Sequence, residues 1–243
     1  MQEKRGWAFT VGVPILRPLL VASTRREWIG GENLPEHGGF IIVLNHISHV
    51  DPLTAGHLIY EHGRIPRYLA KAGLFEKRGL GAILRGGGQI PVKRDSRDAV
   101  GAFSAAVDVV RAGKCVVIYP EATITRDPDL WPMKGKSGAA RIALETGAPV
   151  IPIGQWGAQN VLPPYTKKPH LLARHKVTMK VGPPVQLDDL RAEPRTPALI
   201  SQATDRIMSA ITEQVALIRG EQPPAERYDM AVDGDRFKKR KDG

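Results

Sequence analysis

Residues that could perform acid–base chemistry follow an apolar run near residue 45. The run 40–44, Phe-Ile-Ile-Val-Leu, leads into Asn45, His46 and, five residues further on, Asp51. Imidazole titrates near neutral pH, so His46 can accept a proton from a hydroxyl group. A carboxylate that folds back onto the other ring nitrogen would fix the tautomer and the orientation of the ring. The spacing therefore predicts a His46–Asp51 pair at the carboxyl end of a strand, where open α/β sheets bind ligands.

Asp51 also fits a purely structural role. Asp51-Pro52 is typical of a helix start, with the carboxylate as the N-cap and proline in the first helical position. In that interpretation His46 is only a polar loop residue. Spacing alone leaves both interpretations open.

A second group of residues is cationic. Nine lysines and arginines lie between residues 64 and 97, against two acidic residues. Lys71 and the pair Lys93-Arg94 come at the ends of apolar runs, where converging cations would suit a small phosphate group. The alternative is a solvated basic surface.

A third group follows the apolar run 115–119. The segment 119–126 reads Tyr-Pro-Glu-Ala-Thr-Ile-Thr-Arg. Glu121 could accept hydrogen bonds from a polyol, and Arg126 could add positive charge. Taken alone this pattern is not specific, because a strand followed by Pro-Glu is common turn chemistry.

Length and composition restrict the class of protein that carries these groups. A chain of 243 residues is long enough for one large domain or two small ones. The apolar content of 42% and the charged content of 25% exclude a disordered tail and an integral membrane bundle. A single cysteine excludes an internal disulfide framework. The net charge of +10 predicts an anionic partner, which is nucleic acid, an acidic membrane surface or a phosphorylated substrate.

The elements that must position these side chains form an alternating pattern. Short apolar runs alternate with amphipathic stretches, which predicts an α/β fold. We expect a mixed central sheet flanked by helices. The strand candidates are 40–44, 67–70, 89–93, 115–119, 150–153 and 177–181, and the helix candidates are 98–112, 137–146 and 197–219.

The pattern divides the chain into three parts. We expect an N-terminal segment over residues 1–24, a main domain over 25–220 and a polar, basic tail over 221–243. The N-terminal segment is rich in apolar side chains and fits a helix on a membrane surface. Two alternatives are an ordinary amphipathic helix packed on the domain and a signal peptide, which Pro14, Arg17 and Pro18 disfavour.

Taken together, the chain resembles the glycerolipid acyltransferase family, which carries four ordered sequence blocks. Asn45, His46 and Asp51 match the first, NHxxxxD. Residues 88–94 match the second, and 119–125 resembles the third, FPEGTRS. The fourth, an apolar-Pro-apolar strand, is matched by residues 150–153.

The resemblance implies acyl transfer from acyl-CoA or acyl carrier protein to a hydroxyl of lysophosphatidic acid or glycerol-3-phosphate. His46 would act as general base and Asp51 would orient it, while amides at the helix start near Asp51 could stabilise the oxyanion. No cofactor and no metal is implied. The side chains expected at the acceptor are Lys71, Lys93, Arg94, Glu121, Thr123 and Arg126.

Two departures from the third block concern the acceptor. The family glycine is Ala122, and the family arginine, usually assigned to the acceptor phosphate, is Ile124. Arg126 would project to the same side in an extended segment and could replace it. Alternatively, the acceptor is another lipid or glycolipid hydroxyl.

The partners implied are an anionic membrane surface, a phosphorylated glycerol or lysolipid acceptor, and the acyl donor. The location implied is the cytoplasmic face of the cell membrane, with peripheral or monotopic attachment. The basic run 236–241 suggests nucleic-acid binding as a rival, but aromatic residues make up 6% of the chain and no RNA-binding motif is present. We therefore expect no nucleic-acid partner.

Overall fold

One mixed sheet carries the loops of interest in the computed structural model, which describes residues 3, 5–92, 99–166, 168–170 and 173–235. Its strand order is β1-β7-β6-β2-β5-β3-β4. The strands are β1 (Thr24–Ile29), β2 (Phe40–Leu44), β3 (Arg67–Lys71), β4 (Ile90–Val92), β5 (Cys115–Ile118), β6 (Val150–Trp156) and β7 (His175–Val181).

Helices cover both faces of this sheet. They are α1 (Trp7–Ser23), α2 (Asp51–Glu61), α3 (Leu80–Gly86), α4 (Ala99–Arg111), α5 (Gly138–Thr146), α6 (Ala158–Val161), α7 (Asp188–Arg191) and α8 (Pro197–Arg219). Short 3-10 turns lie at Gly31–Asn33 and Ala72–Leu74. The expected α/β class with a mixed central sheet is therefore confirmed.

Strand direction brings the candidate segments to one edge of the sheet. The neighbours β6, β2, β5, β3 and β4 pair in parallel, whereas β7 pairs antiparallel with β6. The carboxyl ends of the parallel strands therefore meet at the same edge. The loops after β2 and β5, together with Lys71 at the end of β3, lie there.

Strand β2 lies at the centre of the sheet and is buried on both faces. All five of its residues are fully buried, as expected for a central parallel strand covered on both faces. Ile41 and Val43 pack into the cluster shared with α4, α5 and α8, and Ile42 packs into the cluster shared with α2. Burial of each such side chain stabilises the fold by about 1.5–3 kcal/mol.

Most of the expected elements are confirmed with shifted ends. The six strand candidates and the three helix candidates are present, although residues 93 and 98 lie outside the described ranges. The sequence does not predict strand β1, because three of the six residues in Thr-Arg-Arg-Glu-Trp-Ile are charged. It lies at the sheet edge, where charged side chains discourage pairing with other chains.

The N-terminal helix α1 packs against α3 at a close approach of backbone. A Cβ atom on Gly86 would lie 2.3 Å from the Trp7 indole nitrogen, so only glycine admits this contact. Pro14 and Pro18 both lie inside α1. Within the described part of the chain, no helix combines the length and apolarity needed to cross a bilayer.

Candidate active site

Hydrogen bonds to β6 hold the loop 45–51 at its first residue, directly after β2. The Asn45 side-chain amide donates to the Gln155 carbonyl (3.0 Å), and the Gln155 backbone N–H donates to Asn45 Oδ1 (2.9 Å). The Gln155 side-chain amide also donates to the Asn45 carbonyl (2.6 Å). Both residues are fully buried. The loop is therefore attached to β6 at its first residue.

His46 and Asp51 form a hydrogen-bonded pair in this loop. Asp51 Oδ2 lies 2.8 Å from His46 Nδ1, and it also accepts from the backbone N–H groups of Ile47 (2.7 Å) and Ser48 (2.8 Å). Asp51 is fully buried, whereas the His46 side chain is 16% exposed. When Nδ1 carries the proton and donates it to the carboxylate, Nε2 keeps its lone pair and can accept a proton from a substrate.

The helix-start interpretation of Asp51-Pro52 is half right. Helix α2 begins at Asp51 with Pro52 in its first turn. The N-cap position is Val50, however, and no side chain caps this helix, because the Asp51 carboxylate turns back to the loop. Three amides of the loop before α2 are already engaged, since those of Ile47 and Ser48 donate to Asp51 and that of Val50 donates to Ser48 Oγ.

Aromatic rings hold the imidazole from one side. The Tyr119 ring stacks on His46 with centroids 4.4 Å apart, and Tyr68 stacks on Tyr119 at 6.3 Å. The Tyr68 hydroxyl donates to the carbonyl of Pro52 (2.7 Å). Burial raises the pKa of both tyrosines well above the usual value, so both phenols stay protonated. The stack restricts rotation of the His46 ring.

Glu121 does not face the cavity, contrary to the expectation that it binds the acceptor. It is buried, and its Oε1 accepts from the His46 backbone N–H (2.8 Å) while its Oε2 accepts from the Met133 N–H (3.0 Å). Its direction follows from the turn at Ala122, whose φ is 60°. The Glu121 carboxylate therefore joins the loop 45–51 to the segment around Met133.

A cavity of about 950 Å³ opens beside His46. Its walls come mainly from α1, α2, β3, the segment that follows β5 and the start of α5, with smaller parts from α3 and α4. Most of the lining side chains are apolar. They include Phe9, Val13, Leu16, Leu20, Leu53, Leu69, Leu74, Ile83, Leu84, Phe103, Ile118 and Ile142. The volume is at the upper end of the range for ligand pockets, about 300–1,000 Å³.

The expected acceptor residues fall into three groups. Lys71 and Thr123 line the cavity. Lys93 and Arg94 lie outside the described residues. Arg126 is not among the lining residues, and its Nε donates to Asp235 Oδ1 (2.6 Å) while its guanidinium lies over the Tyr165 ring (4.4 Å). The extended segment that would let Arg126 replace the family arginine is not formed, because residues 121–125 make a turn.

Two arginines of the cationic stretch are structural. Arg64 is buried and donates to the carbonyls of Pro35, Gly38 and Gly113 (2.7–2.9 Å). Arg67 donates to Glu3 Oε2 (2.7 Å). These arginines tie loops and the N-terminus to the sheet. The solvated-surface alternative is therefore wrong for these two arginines, and the phosphate site at Lys71, Lys93 and Arg94 stays a prediction.

Sequence reasoning missed three contributors to the site. Tyr119 directly precedes the Pro-Glu pair, but its stacking on His46 depends on the neighbouring positions of β2 and β5. Gln155 lies 110 residues from Asn45, so no local pattern links them. Lys136, at the start of α5, lines the cavity. The sequence feature that could have indicated Lys136 is the run Lys-Ser-Gly directly before an amphipathic helix.

Histidines near the cavity do not form a metal site. His46, His49 and His57 all line the cavity. Over the described ranges, no three side chains of His, Cys, Asp or Glu are grouped closely enough to hold a metal ion. His57 instead lies beside Glu61 (3.1 Å) and Arg26 (3.0 Å), and burial lowers its pKa.

Comparison with known proteins places this site in a family. A family model described as "Acyltransferase" matches residues 25–156. A chloroplastic 1-acyl-sn-glycerol-3-phosphate acyltransferase of Brassica napus is 34% identical over 136 residues, which is 55% of this chain and 38% of the relative. A protein of the same name from Borreliella burgdorferi is 34% identical over 132 residues, 54% of this chain and 51% of the relative. The chain thus spans about half or less of the length of these two relatives.

Two further similarities extend over more of the chain. A 1-acyl-sn-glycerol-3-phosphate acyltransferase of Bacillus subtilis is 28% identical over 182 residues, 72% of this chain and 83% of the relative. The crystal structure of the 1-acyl-sn-glycerophosphate acyltransferase of Thermotoga maritima aligns with a TM-score of 0.61 and 21% identity. That alignment covers 86% of this chain and 82% of the other, and it shows a shared fold.

Proposed function

The chain belongs to the acyltransferase family, and from that premise we propose that it acylates a hydroxyl of lysophosphatidic acid or glycerol-3-phosphate. The acyl donor is a thioester, acyl-CoA or acyl carrier protein. The observation that carries this proposal is the His46–Asp51 pair beside a large apolar cavity. Relatives that bear the name 1-acyl-sn-glycerol-3-phosphate acyltransferase support it.

The geometry supports a direct transfer. Nε2 of His46 takes the proton of the acceptor hydroxyl as the oxygen attacks the thioester carbon. Asp51, bonded to Nδ1, stabilises the imidazolium that forms. When the tetrahedral intermediate collapses, the carbon–sulfur bond breaks and the imidazolium returns the proton to the thiolate. The free thiol and the new ester leave, and no acyl-enzyme forms.

The cavity suits the two substrates. Its apolar walls from α1 and α3 match an acyl chain, and Lys71 supplies positive charge for an acceptor phosphate. Lys93 and Arg94 remain predicted phosphate ligands. A second candidate acceptor is a lipid or glycolipid hydroxyl without phosphate, since Ile124 gives the cavity an apolar wall at the position of the family arginine.

We also propose that the protein binds the anionic cytoplasmic surface of a membrane. On α1, the large side chains of Trp7, Val11, Ile15 and Leu19 follow one another at nearly helical spacing, and all are exposed. They form an outward apolar stripe on the helix that also lines the cavity. The net charge of +10 favours an anionic leaflet.

The test is release of free thiol from palmitoyl-CoA, with lysophosphatidic acid, with glycerol-3-phosphate and without acceptor. We expect release that depends on one phosphorylated acceptor and that falls about 10²–10⁴-fold in His46→Ala. His37→Ala, an exposed imidazole outside the cavity lining, is the control. Release that persists in a folded His46→Ala protein would remove His46 as the base.

A further inference from the structure

The cavity wall carries cations and, within the described residues, no carboxylate. Arg17, Lys71 and Lys136 line it. Arg17 lies 3.4 Å from Glu61 and is partly neutralised. Lys71 and Lys136 have no ion-pair partner among the described residues. An anionic ligand in this cavity therefore meets two lysines that no protein carboxylate neutralises.

The backbone fixes Lys136 close to the catalytic pair. Its N–H donates to the carbonyl of Pro120 (2.9 Å), the residue that follows Tyr119. The preceding Gly135 packs so tightly that a Cβ atom there would lie 2.5 Å from Met208 Sδ. Because Tyr119 stacks on His46 and the Lys136 N–H is bonded to the residue after Tyr119, the backbone of Lys136 lies near the base, on the wall of the same cavity.

The segment after β5 has two other positions at which a cation was expected, and neither supplies one to the cavity. Arg126 is bonded to Asp235 outside the cavity lining. Ile124 is a buried apolar part of the wall. Lys136 is thus the cation that the segment after β5 contributes to the cavity, among the residues that the structure describes.

We infer that Lys136 binds the phosphate of the acceptor together with Lys71, and that it makes the site prefer phosphomonoester lipids over neutral ones. This inference rests on the proposed function. A phosphomonoester carries a charge of about −1.5 to −2 near neutral pH, and two ammonium groups match it. In acyl-CoA the pantetheine arm separates the phosphates from the thioester, so donor binding depends less on a lysine near the reacting carbon.

The experiment compares Lys136→Ala with Lys134→Ala. Lys134 lies two residues away, is exposed, pairs with Asp229 (2.9 Å) and is not among the lining residues. In Lys136→Ala we expect the KM for lysophosphatidic acid to rise about tenfold or more, with the KM for palmitoyl-CoA changed less than twofold. Lys134→Ala should leave both unchanged, and Lys136→Arg should restore most of the acceptor affinity.

The outcomes separate this inference from the proposed function. An unchanged acceptor KM in Lys136→Ala, or a fall in kcat alone, overturns the phosphate role of Lys136. The proposed acyltransferase function is unaffected by either result. Absence of wild-type transfer to any phosphorylated acceptor overturns the proposed function instead. In that case calorimetry of lysophosphatidic acid with the wild-type chain, without acyl donor, decides the inference. A tenfold weaker binding in Lys136→Ala supports it, and equal binding overturns it.

Discussion

Two buried carboxylates, those of Asp51 and Glu121, hold different parts of His46. Asp51 accepts from the ring, and Glu121 accepts from the backbone N–H. Burial raises the pKa of Glu121 to about 8, although the hydrogen bonds from Met133 and His46 oppose the shift. The unfolded chain releases this proton near its ordinary value of 4.5. Between these two pH values the folded chain binds more protons, so its stability falls as pH rises.

Glu121→Gln should remove that dependence. The amide cannot ionise, and its NH2 group can no longer accept one of the two backbone N–H bonds that Glu121 receives. We expect the free energy of unfolding of Glu121→Gln, relative to wild type, to increase as pH rises from 5 to 8, by at most about 1.4 kcal/mol per pH unit. Urea unfolding at several pH values measures this. Activity should fall through kcat, with the acceptor KM unchanged, because Glu121 does not line the cavity.

Glu213→Gln provides the control for that titration. Glu213 is an exposed residue of α8, so its removal should leave the pH dependence of stability as in wild type. A difference between wild type and Glu121→Gln that stays constant from pH 5 to 8 would contradict the titration of Glu121 in this range.

The sequence predicted the His46–Asp51 pair but misjudged its neighbours. His46 and Asp51 lie in one short loop, so their spacing already indicates contact. The direction of Glu121 depends instead on the turn at Ala122, whose φ of 60° costs a residue with a Cβ about 1–2 kcal/mol. An extended segment would send Arg126 to the same side as Ile124, towards the substrate, whereas the turn sends both Glu121 and Arg126 elsewhere.

At the scale of elements, α1 has two apolar faces with different surroundings. Phe9, Val13 and Leu20 line the cavity, and the exposed stripe lies elsewhere on the same helix. The sequence presents a membrane anchor and a packed helix as alternatives. Because apolar side chains surround α1, the pattern alone could not show which ones pack inward.

Replacing Val11, Ile15 and Leu19 with serine should weaken membrane binding and leave the cavity intact. We expect co-sedimentation with anionic phospholipid vesicles to fall at least tenfold, since three apolar side chains no longer bury in lipid. Thiol release from substrates dispersed in detergent should stay within about twofold of wild type. Detergent presents the substrates without a bilayer, so this assay isolates the cavity from membrane binding.

The matched control changes three exposed apolar residues outside α1, namely Val100, Leu217 and Val232. Their replacement by serine should leave vesicle binding unchanged. Equal vesicle binding by the α1 variant and wild type would contradict the membrane role and would leave closure of the cavity as the function of the helix.

At the scale of the whole molecule, the C-terminal segment returns to the loop after β5. Asp235 pairs with Arg126 (2.6 Å), Asp229 pairs with Lys134 (2.9 Å), and the Tyr228 carbonyl accepts from the Lys134 N–H (3.0 Å). The sequence predicted only a polar tail from residue 221. It could not show this return, because the paired residues lie about a hundred positions apart and share no periodicity.

Asp235→Asn should destabilise the fold more than a comparable change at the surface. The side chains of Arg126 and Asp235 are 13% and 24% exposed, so the substitution weakens an ion pair that is largely shielded from water. We expect a loss of about 1–3 kcal/mol in urea unfolding. In Asp188→Asn, which alters an exposed pair with Arg191, the loss should stay below about 0.5 kcal/mol. Equal losses in the two variants would contradict the buried character of the Arg126 pair.

The position of Cys115 has a practical consequence for every assay of this protein. It is the one cysteine of the chain, it is fully buried in β5, and burial raises its pKa well above the usual value. We therefore expect the thiol of the folded protein not to react with a disulfide reagent, so that colour in the palmitoyl-CoA assay reports the thiol released from the donor. Once the protein unfolds, the same reagent labels Cys115. One chromogenic reagent can thus count turnovers and also titrate the fraction of molecules that have lost their fold.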